Sequence, residues 1–232
     1  MTTVDHQPTA ADFLARHRGG GLFTMTVSQR LGAQFAVAAH RGKLPPTALT
    51  LTNLVLGIAA AMLVIEAHGR LPAPVVGLVA LVLWQVAYAL DCSDGQLARV
   101  TGKGSPAGAR VDVLCDVALQ VALVAAVSSV AVTYDPAPPA WLIAAFAGTW
   151  MVNLVTSILQ QGQSAASLVT GRSLPVRLIK LIRDYGAVVT VVGLVLAFVP
   201  QWTIWLMVAF TVVNGGFLLA SIAASARASL RV

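Results

Sequence analysis

Four of the chain's nine acidic residues, Asp91, Asp94, Asp112 and Asp116, fall in one short window. Asp91 and Asp94 are three positions apart; Asp112 and Asp116 are four apart. On a helix, either spacing puts both carboxylates on one face. Two helices joined by a short loop lie side by side, so the carboxylates can converge. Crowded carboxylates at the edge of a low-dielectric medium repel each other and are costly to desolvate, so they stay ionised only beside cations. With no imidazole or thiolate in the set, the donors are hard oxygens, which suit Mg²⁺, Mn²⁺ or Ca²⁺ rather than zinc. Two divalent ions balance the charge of these four acids. A two-metal site suits phosphoryl or phosphodiester displacement.

The residues between the acids extend this reading. Gly95, beside Asp94, lets backbone come close to a bulky ligand, and Ala98 is small for a similar reason. Arg99 can neutralise a phosphate. Gly108, one turn before Asp112, again permits close approach. Together they describe a site for a metal-bound diphosphate. The competing reading is a proton or ion pathway in a divalent-cation or proton-coupled transporter. Transporters place ligands near the midplane on broken helices, whereas these acids sit at helix ends.

The elements that must hold this window are read from composition. Of 232 residues, 57% are hydrophobic and only 10% charged, with a mean hydropathy of +0.81. That is too little charge for a soluble surface, so a disordered chain, a basic nucleic-acid-binding domain and an ordinary cytosolic enzyme are excluded. The net charge of +6 fits a membrane protein with basic cytoplasmic loops. At roughly 30–40 residues per span and loop, there is room for about six helices. The expected fold is all-α: a polytopic membrane protein with six transmembrane helices and an N-terminal amphipathic juxtamembrane helix.

Residues 1–21 are polar, small and glycine-rich and read as a flexible cytoplasmic tail without the apolar core of a signal peptide. Residues 22–44 form the juxtamembrane helix, with Phe23, Val27, Leu31 and Phe35 as its apolar stripe and Arg30, Gln34 and Arg41 to the side. It lies on the bilayer or packs on the bundle. Residues 45–232 form the six-helix domain. Its spans run from about Thr47 to Ala67, Pro72 to Leu90, Gly108 to Val132, Trp141 to Leu159, Tyr185 to Val199 and Trp202 to Ala223. The polar stretch Asp91–Ala107 follows the second span. Trp141, Trp202 and Trp205 sit near span ends, where interfacial aromatics belong. With both termini cytoplasmic, 14 of the 15 basic residues face the cytoplasm and only Arg70 does not. The active site then lies on the cytoplasmic side of the cell membrane. Gly57, Gly77, Gly148 and Gly215-Gly216 suit close helix packing, and Gln85, Gln120, Asn153 and Asn214 are placed to bond between helices. Cys92 and Cys115 form no disulfide framework; neither is paired with a base that would make it a nucleophile.

Written with its gaps, the window is Asp91-x2-Asp94-Gly95-x2-Ala98-Arg99-x8-Gly108-x3-Asp112-x3-Asp116. At every fixed position it resembles the signature of the CDP-alcohol phosphotransferase (CDP-alcohol phosphatidyltransferase) family. Pro46-Thr47-Ala48-Leu49-Thr50 loosely resembles the family's Pro-Asn-x-x-Thr at the start of span one, with Thr47 where Asn is common. The resemblance implies transfer of a substituted phosphate from a CDP-linked alcohol, most often CDP-diacylglycerol, to an acceptor alcohol, with release of CMP, in phospholipid biosynthesis. It implies two divalent ions, Mg²⁺ or Mn²⁺, held by Asp91, Asp94, Asp112 and Asp116, with Asp116 also taking the acceptor's proton. Gly95, Ala98, Arg99 and Gly108 would line the CDP pocket. Family members are often homodimers.

Members that use phosphorylated acceptors need basic residues for that phosphate. Arg110, Arg172, Arg177, Lys180 and Arg183 are the candidates, with positive-inside decoration as the alternative. Members using inositol phosphate commonly carry a basic residue after the last Asp; here Val117 stands there. Cys92 and Ser93 also resemble members that use a soluble CDP-alcohol and a lipid acceptor. An inactive descendant serving as a scaffold is the remaining alternative within the resemblance.

Overall fold

The structure is a computed structural model that describes residues 7–17, 19–135, 137–161 and 184–230. Among them the regular elements are helical, with no strand. A short helix α1 (Ala10–Leu14) is followed by a π-helical turn (Thr24–Ser28) that runs into α2 (Gln29–Arg41). The long helices follow: α3 (Pro46–Ala67), α4 (Ala73–Thr101), α5 (Pro106–Tyr134), α6 (Ala140–Gln161), α7 (Tyr185–Phe198) and α8 (Thr203–Ser229).

Local chemistry sets these limits. Pro46 opens α3 and Pro106 opens α5, in the first turn, where a missing N–H costs nothing. Ser105 caps α5, its Oγ accepting the Gly108 N–H at 3.0 Å. Gly69 (φ 82°) makes the turn from α3 to α4, and Gly102 (φ 66°) ends α4 in the left-handed conformation that glycine adopts without strain. Pro200 starts a 3₁₀ turn that separates α7 from α8.

Among the described residues, four helical segments are long and apolar enough to cross a membrane: Pro46–Ala67, Ala73–Thr101, Pro106–Tyr134 and Pro200–Ala223. The apolar stretches Ala140–Val152 and Tyr185–Phe198 are shorter. At 14 residues α7 is about 21 Å long, less than a hydrocarbon core of about 30 Å. The chain is therefore an all-α integral membrane protein. The expected second span stops at Leu90, but α4 continues without a break to Thr101, so Asp91 and Asp94 stand within a helix rather than at its frayed end.

The first 21 residues are not simply a tail. Thr9 and Asp12 form a capping box for α1, and Phe13 is fully buried. The large stripe expected on α2 is not its packing face. Gly32, Ala33, Ala36 and Ala39 pack inward, while Leu31 is exposed and Phe35 half-buried. Only small residues fit there: a Cβ at Gly32 would lie 2.9 Å from the Ala89 carbonyl oxygen. The helix thus packs on α4 and leaves its larger apolar side chains on the margin.

The core joins α3, α4, α5, α6, α7 and α8. Trp150 stacks on Phe210 at 4.3 Å, with Phe146 edge-on to both rings. Gln120 accepts the Trp150 indole N–H at 3.0 Å, and Gln85 donates to the Gly186 carbonyl and to Thr190, linking α4 to α7. Asn214 instead donates within its own helix, to the Phe210 carbonyl, because its amide reaches back one turn. The Asn153 side chain lies outside the described residues. Gly57 and Gly77 are close-packed, against Leu119 and the Ala197 backbone, but Gly148 and Gly216 have open space where a Cβ would stand. Small residues give close approach only where a second helix covers them.

Candidate metal centre and nucleotide site

Helix α3 positions the acids. It packs against both α4 and α5, while the backbones of α4 and α5 hardly touch. This corrects the expectation that two helices joined by a short loop pack directly on each other. The carboxylates meet across a gap, which is what repelling groups that must admit a ligand require.

Three of the carboxylates close that gap: one oxygen each from Asp91, Asp112 and Asp116 lies within 4.8 Å of the others. Asp94 does not join this tight group. It is buried one turn further along α4 and interacts electrostatically with Asp112. Of the four acids expected to converge, Asp91, Asp112 and Asp116 form the tight group, while Asp94 stands one turn on and bonds to Thr50 of α3.

The residues on α3 that do this were not singled out as site residues by sequence. Thr50 donates its hydroxyl to Asp94 Oδ2, and Asn53 Nδ2 donates to Asp91 Oδ1 at 3.4 Å. Both are buried, whereas the other polar residues of α3, Thr47, Thr52 and Glu66, are half-buried or exposed. That is the signal they offered: two polar residues three apart, on the face that meets α4.

The donor set fits a divalent cation. All three groups are carboxylates, none is paired with a cation among the described residues, and Asp112 Oδ1 is buried without a hydrogen-bond partner. Arg70 and Glu66 form an ion pair at 3.6 Å on exposed side chains at the other end of the bundle.

The neighbouring motif residues separate by role. Arg99 folds back over Gly95: a Cβ at position 95 would lie 2.9 Å from Arg99 Nη1. Gly95 thus makes room for that guanidinium. Arg99 Nε donates to the Arg16 carbonyl at 2.5 Å. Ala98 is half-buried beside the loop glycine Gly104. A Cβ at Gly108 would stand 3.2 Å from the capping Ser105 Oγ and 3.7 Å from Thr47 Oγ1, so part of that space serves the helix cap. Arg110 is exposed in the first turns of α5. Arg172, Arg177, Lys180 and Arg183 lie outside the described residues. Cys92 and Cys115 are buried free thiols.

A second buried polar cluster lies beside the metal group. Asp184, directly before α7, accepts the Thr24 N–H at 3.0 Å and the Thr24 hydroxyl at 2.5 Å. Thr24 Oγ1 is also 3.0 Å from the Tyr88 hydroxyl, and the Tyr88 ring meets Tyr185 edge-on at 4.9 Å. Tyr185 is close enough to Asp116 and Asp91 to interact with them electrostatically. These contacts tie the N-terminal segment to α7 beside the carboxylates, and nothing in the local sequence announced them.

No curated protein matches the chain in sequence. The family model for CDP-alcohol phosphatidyltransferases matches residues 43–213, a stretch that begins just before α3, includes all four acids and ends within α8.

Proposed function

The chain belongs to the CDP-alcohol phosphatidyltransferase family, a family of phosphotransferases, and on that premise we propose its substrates and the residues that act on them. The coarse reaction is the family's: transfer of a phosphate group from a CDP-alcohol to a second alcohol, at a membrane, in a divalent-cation-dependent manner. This makes the chain an enzyme of phospholipid biosynthesis rather than a transporter. The finer reading is that CDP-diacylglycerol donates its phosphatidyl group to a small polar alcohol and CMP leaves.

Asp91, Asp112 and Asp116 hold the cation, with Asp94 completing a second position, and Mg²⁺ or Mn²⁺ suits this oxygen set. Bound there, the cations supply charge stabilisation for the diphosphate and the departing CMP. The chain's own groups do the rest. Asp116 takes the proton from the acceptor hydroxyl, whose oxygen bonds to the β-phosphorus as the bond to the bridging diphosphate oxygen breaks. Asn53 and Thr50 fix the rotamers of Asp91 and Asp94. Arg99, above Gly95, receives a phosphate of CDP, and Ala98 and Gly108 keep the approach open. Arg110 and the basic set Arg172, Arg177, Lys180 and Arg183 receive a phosphorylated acceptor.

The same reading has six spans, with α6 and α7 completing the four long ones, the π-turn and α2 lying along the membrane surface, and two copies forming a homodimer. Both termini and the carboxylates face the cytoplasm, because the basic residues gather at that end. Residues 1–21, 22–44 and 45–232 remain its three working regions. The tight Asp91–Asp112–Asp116 group is the observation that carries the reading.

The test is CMP release by purified protein in detergent with CDP-diacylglycerol, Mg²⁺ or Mn²⁺, and inositol phosphate, glycerol phosphate, serine or inositol as acceptor. Acceptor-dependent release that Asp116→Asn abolishes supports the reading and names the acceptor. Release only from a soluble CDP-alcohol with a lipid acceptor overturns the choice of donor.

A further inference from the structure

Residues 7–17 lie outside the stretch that the family model matches, yet they reach the nucleotide side of the site. A helix as short as α1 does not persist in water on its own propensity. Two features hold it. Thr9 and Asp12 close its first turn, with the Thr9 N–H donating to Asp12 Oδ2 at 2.8 Å. Phe13 is fully buried among Ala33, Ala36 and Ala39 of α2 and Leu90 and Leu97 of α4, its ring 6.0 Å from His40. Three residues past this anchor, the Arg16 carbonyl accepts the Arg99 Nε–H.

That bond helps to fix where Arg99 points. Helical side chains lean towards the N-terminus of their helix, so Arg99 reaches back over Gly95 towards the turn that carries Asp94. An arginine tethered only at its Cα loses several rotamers when it meets a ligand, and that entropy is charged against binding. One whose Nε is already held meets a phosphate in a fixed orientation. We infer that α1 is a positioning element of the nucleotide site: Phe13 docks it, and the Arg16 carbonyl holds Arg99 in the orientation that receives a CDP phosphate. This rests on Arg99 being a CDP ligand, as proposed above.

The test is a calorimetric titration of the full-length protein in detergent with CDP in saturating Mg²⁺. The variants are Phe13→Ala, Thr9→Ala, Arg99→Ala and the Phe13→Ala/Arg99→Ala double. Phe13→Ala weakens CDP binding about tenfold and Arg99→Ala by at least that much, as expected of a charge-assisted contact. Thr9→Ala, which loosens only the cap and keeps the packing, weakens it about threefold. The double variant binds CDP no more weakly than Arg99→Ala, because Phe13 acts through Arg99. Mn²⁺ binding without nucleotide is unchanged by Phe13→Ala or Thr9→Ala. Three results overturn the inference while leaving the CDP site intact: CDP affinity within twofold of wild type in folded Phe13→Ala and Thr9→Ala, effects that multiply in the double variant, or an equal loss of metal binding. Absence of CDP binding by the wild type overturns the nucleotide reading itself, and this inference with it.

Discussion

Replacing Thr50 by valine isolates one bond in the centre. Valine has nearly the same shape, so α3 keeps its packing and only the hydroxyl is lost. Thr50 and Asp94 are 3% and 6% exposed, so water does not easily take the hydroxyl's place. The Asp94 Oδ2 then has no donor from α3, and the carboxylate is free to rotate away from Asp112. A hydrogen bond to a charged group contributes about 1.5–3 kcal/mol, roughly a 10- to 150-fold effect at 1.4 kcal/mol per decade. Losses of 10- to 100-fold are also typical when a group that orients a metal ligand is removed. We therefore expect Thr50→Val to raise the Mg²⁺ or Mn²⁺ concentration for half-maximal CMP release about 30-fold, with folding preserved. Thr52→Val is the control. Its hydroxyl bonds to the Ala48 carbonyl of its own helix on an exposed face, so metal dependence should not change. If Thr50→Val shows the metal dependence of the wild type, the argument that α3 orients Asp94 is wrong.

Asp116→Asn should lower CMP release at least about 1,000-fold while the protein still folds, checked by turnover and by melting in detergent, since the proposed mechanism makes Asp116 both a metal ligand and the base. Gly77→Ala should destabilise by about 1–3 kcal/mol, because a Cβ there would lie 2.5 Å from the Ala197 Cα, whereas Gly148→Ala meets open space and should be neutral; thermal unfolding of the two variants separates them. Asp184→Ala should cost about 1–3 kcal/mol by stranding the buried Thr24 N–H and leaving its hydroxyl only Tyr88, and Asp184→Asn should recover part of that, read by the same melts. Cysteines placed at Gly104 and Arg70, both exposed, should label with an impermeant maleimide from opposite faces, Gly104→Cys from the cytoplasmic side; labelling from one face would refute the proposed topology.

The carboxylate window was readable in the sequence because its spacing is local: acids three or four apart declare a helical face without knowledge of the fold. The first helix was readable for the same reason, since Pro46 and Gly69 mark its limits close to where they fall, whereas the end of α4 was not: the polar residues after Leu90 read as a loop but continue the helix to Thr101. What escaped depends on distant partners. Thr50 and Asn53 gain meaning only when α3 packs across α4, and the Thr24–Asp184 bond joins residues 160 positions apart. The burial of Phe13 could not be inferred from a segment of small and polar residues, because the alanine face that receives it lies on α2. The alanine face of α2 was not legible either: packing on α4 follows the smallest residues, where helices approach most closely, and leaves Leu31 exposed and Phe35 half-buried.

In the proposed mechanism the Asp91–Asp112–Asp116 group is the metal centre of a CMP-releasing transfer. The most direct measurement is acceptor-dependent CMP release from CDP-diacylglycerol by wild-type protein, compared in Mn²⁺, in chelator, and in the Asp91→Asn, Asp112→Asn and Asp116→Asn variants. The account predicts release in Mn²⁺ alone, abolished by chelator and restored by added metal, and lost in all three variants. Release that persists in chelator, or in any variant that keeps wild-type turnover, would contradict it.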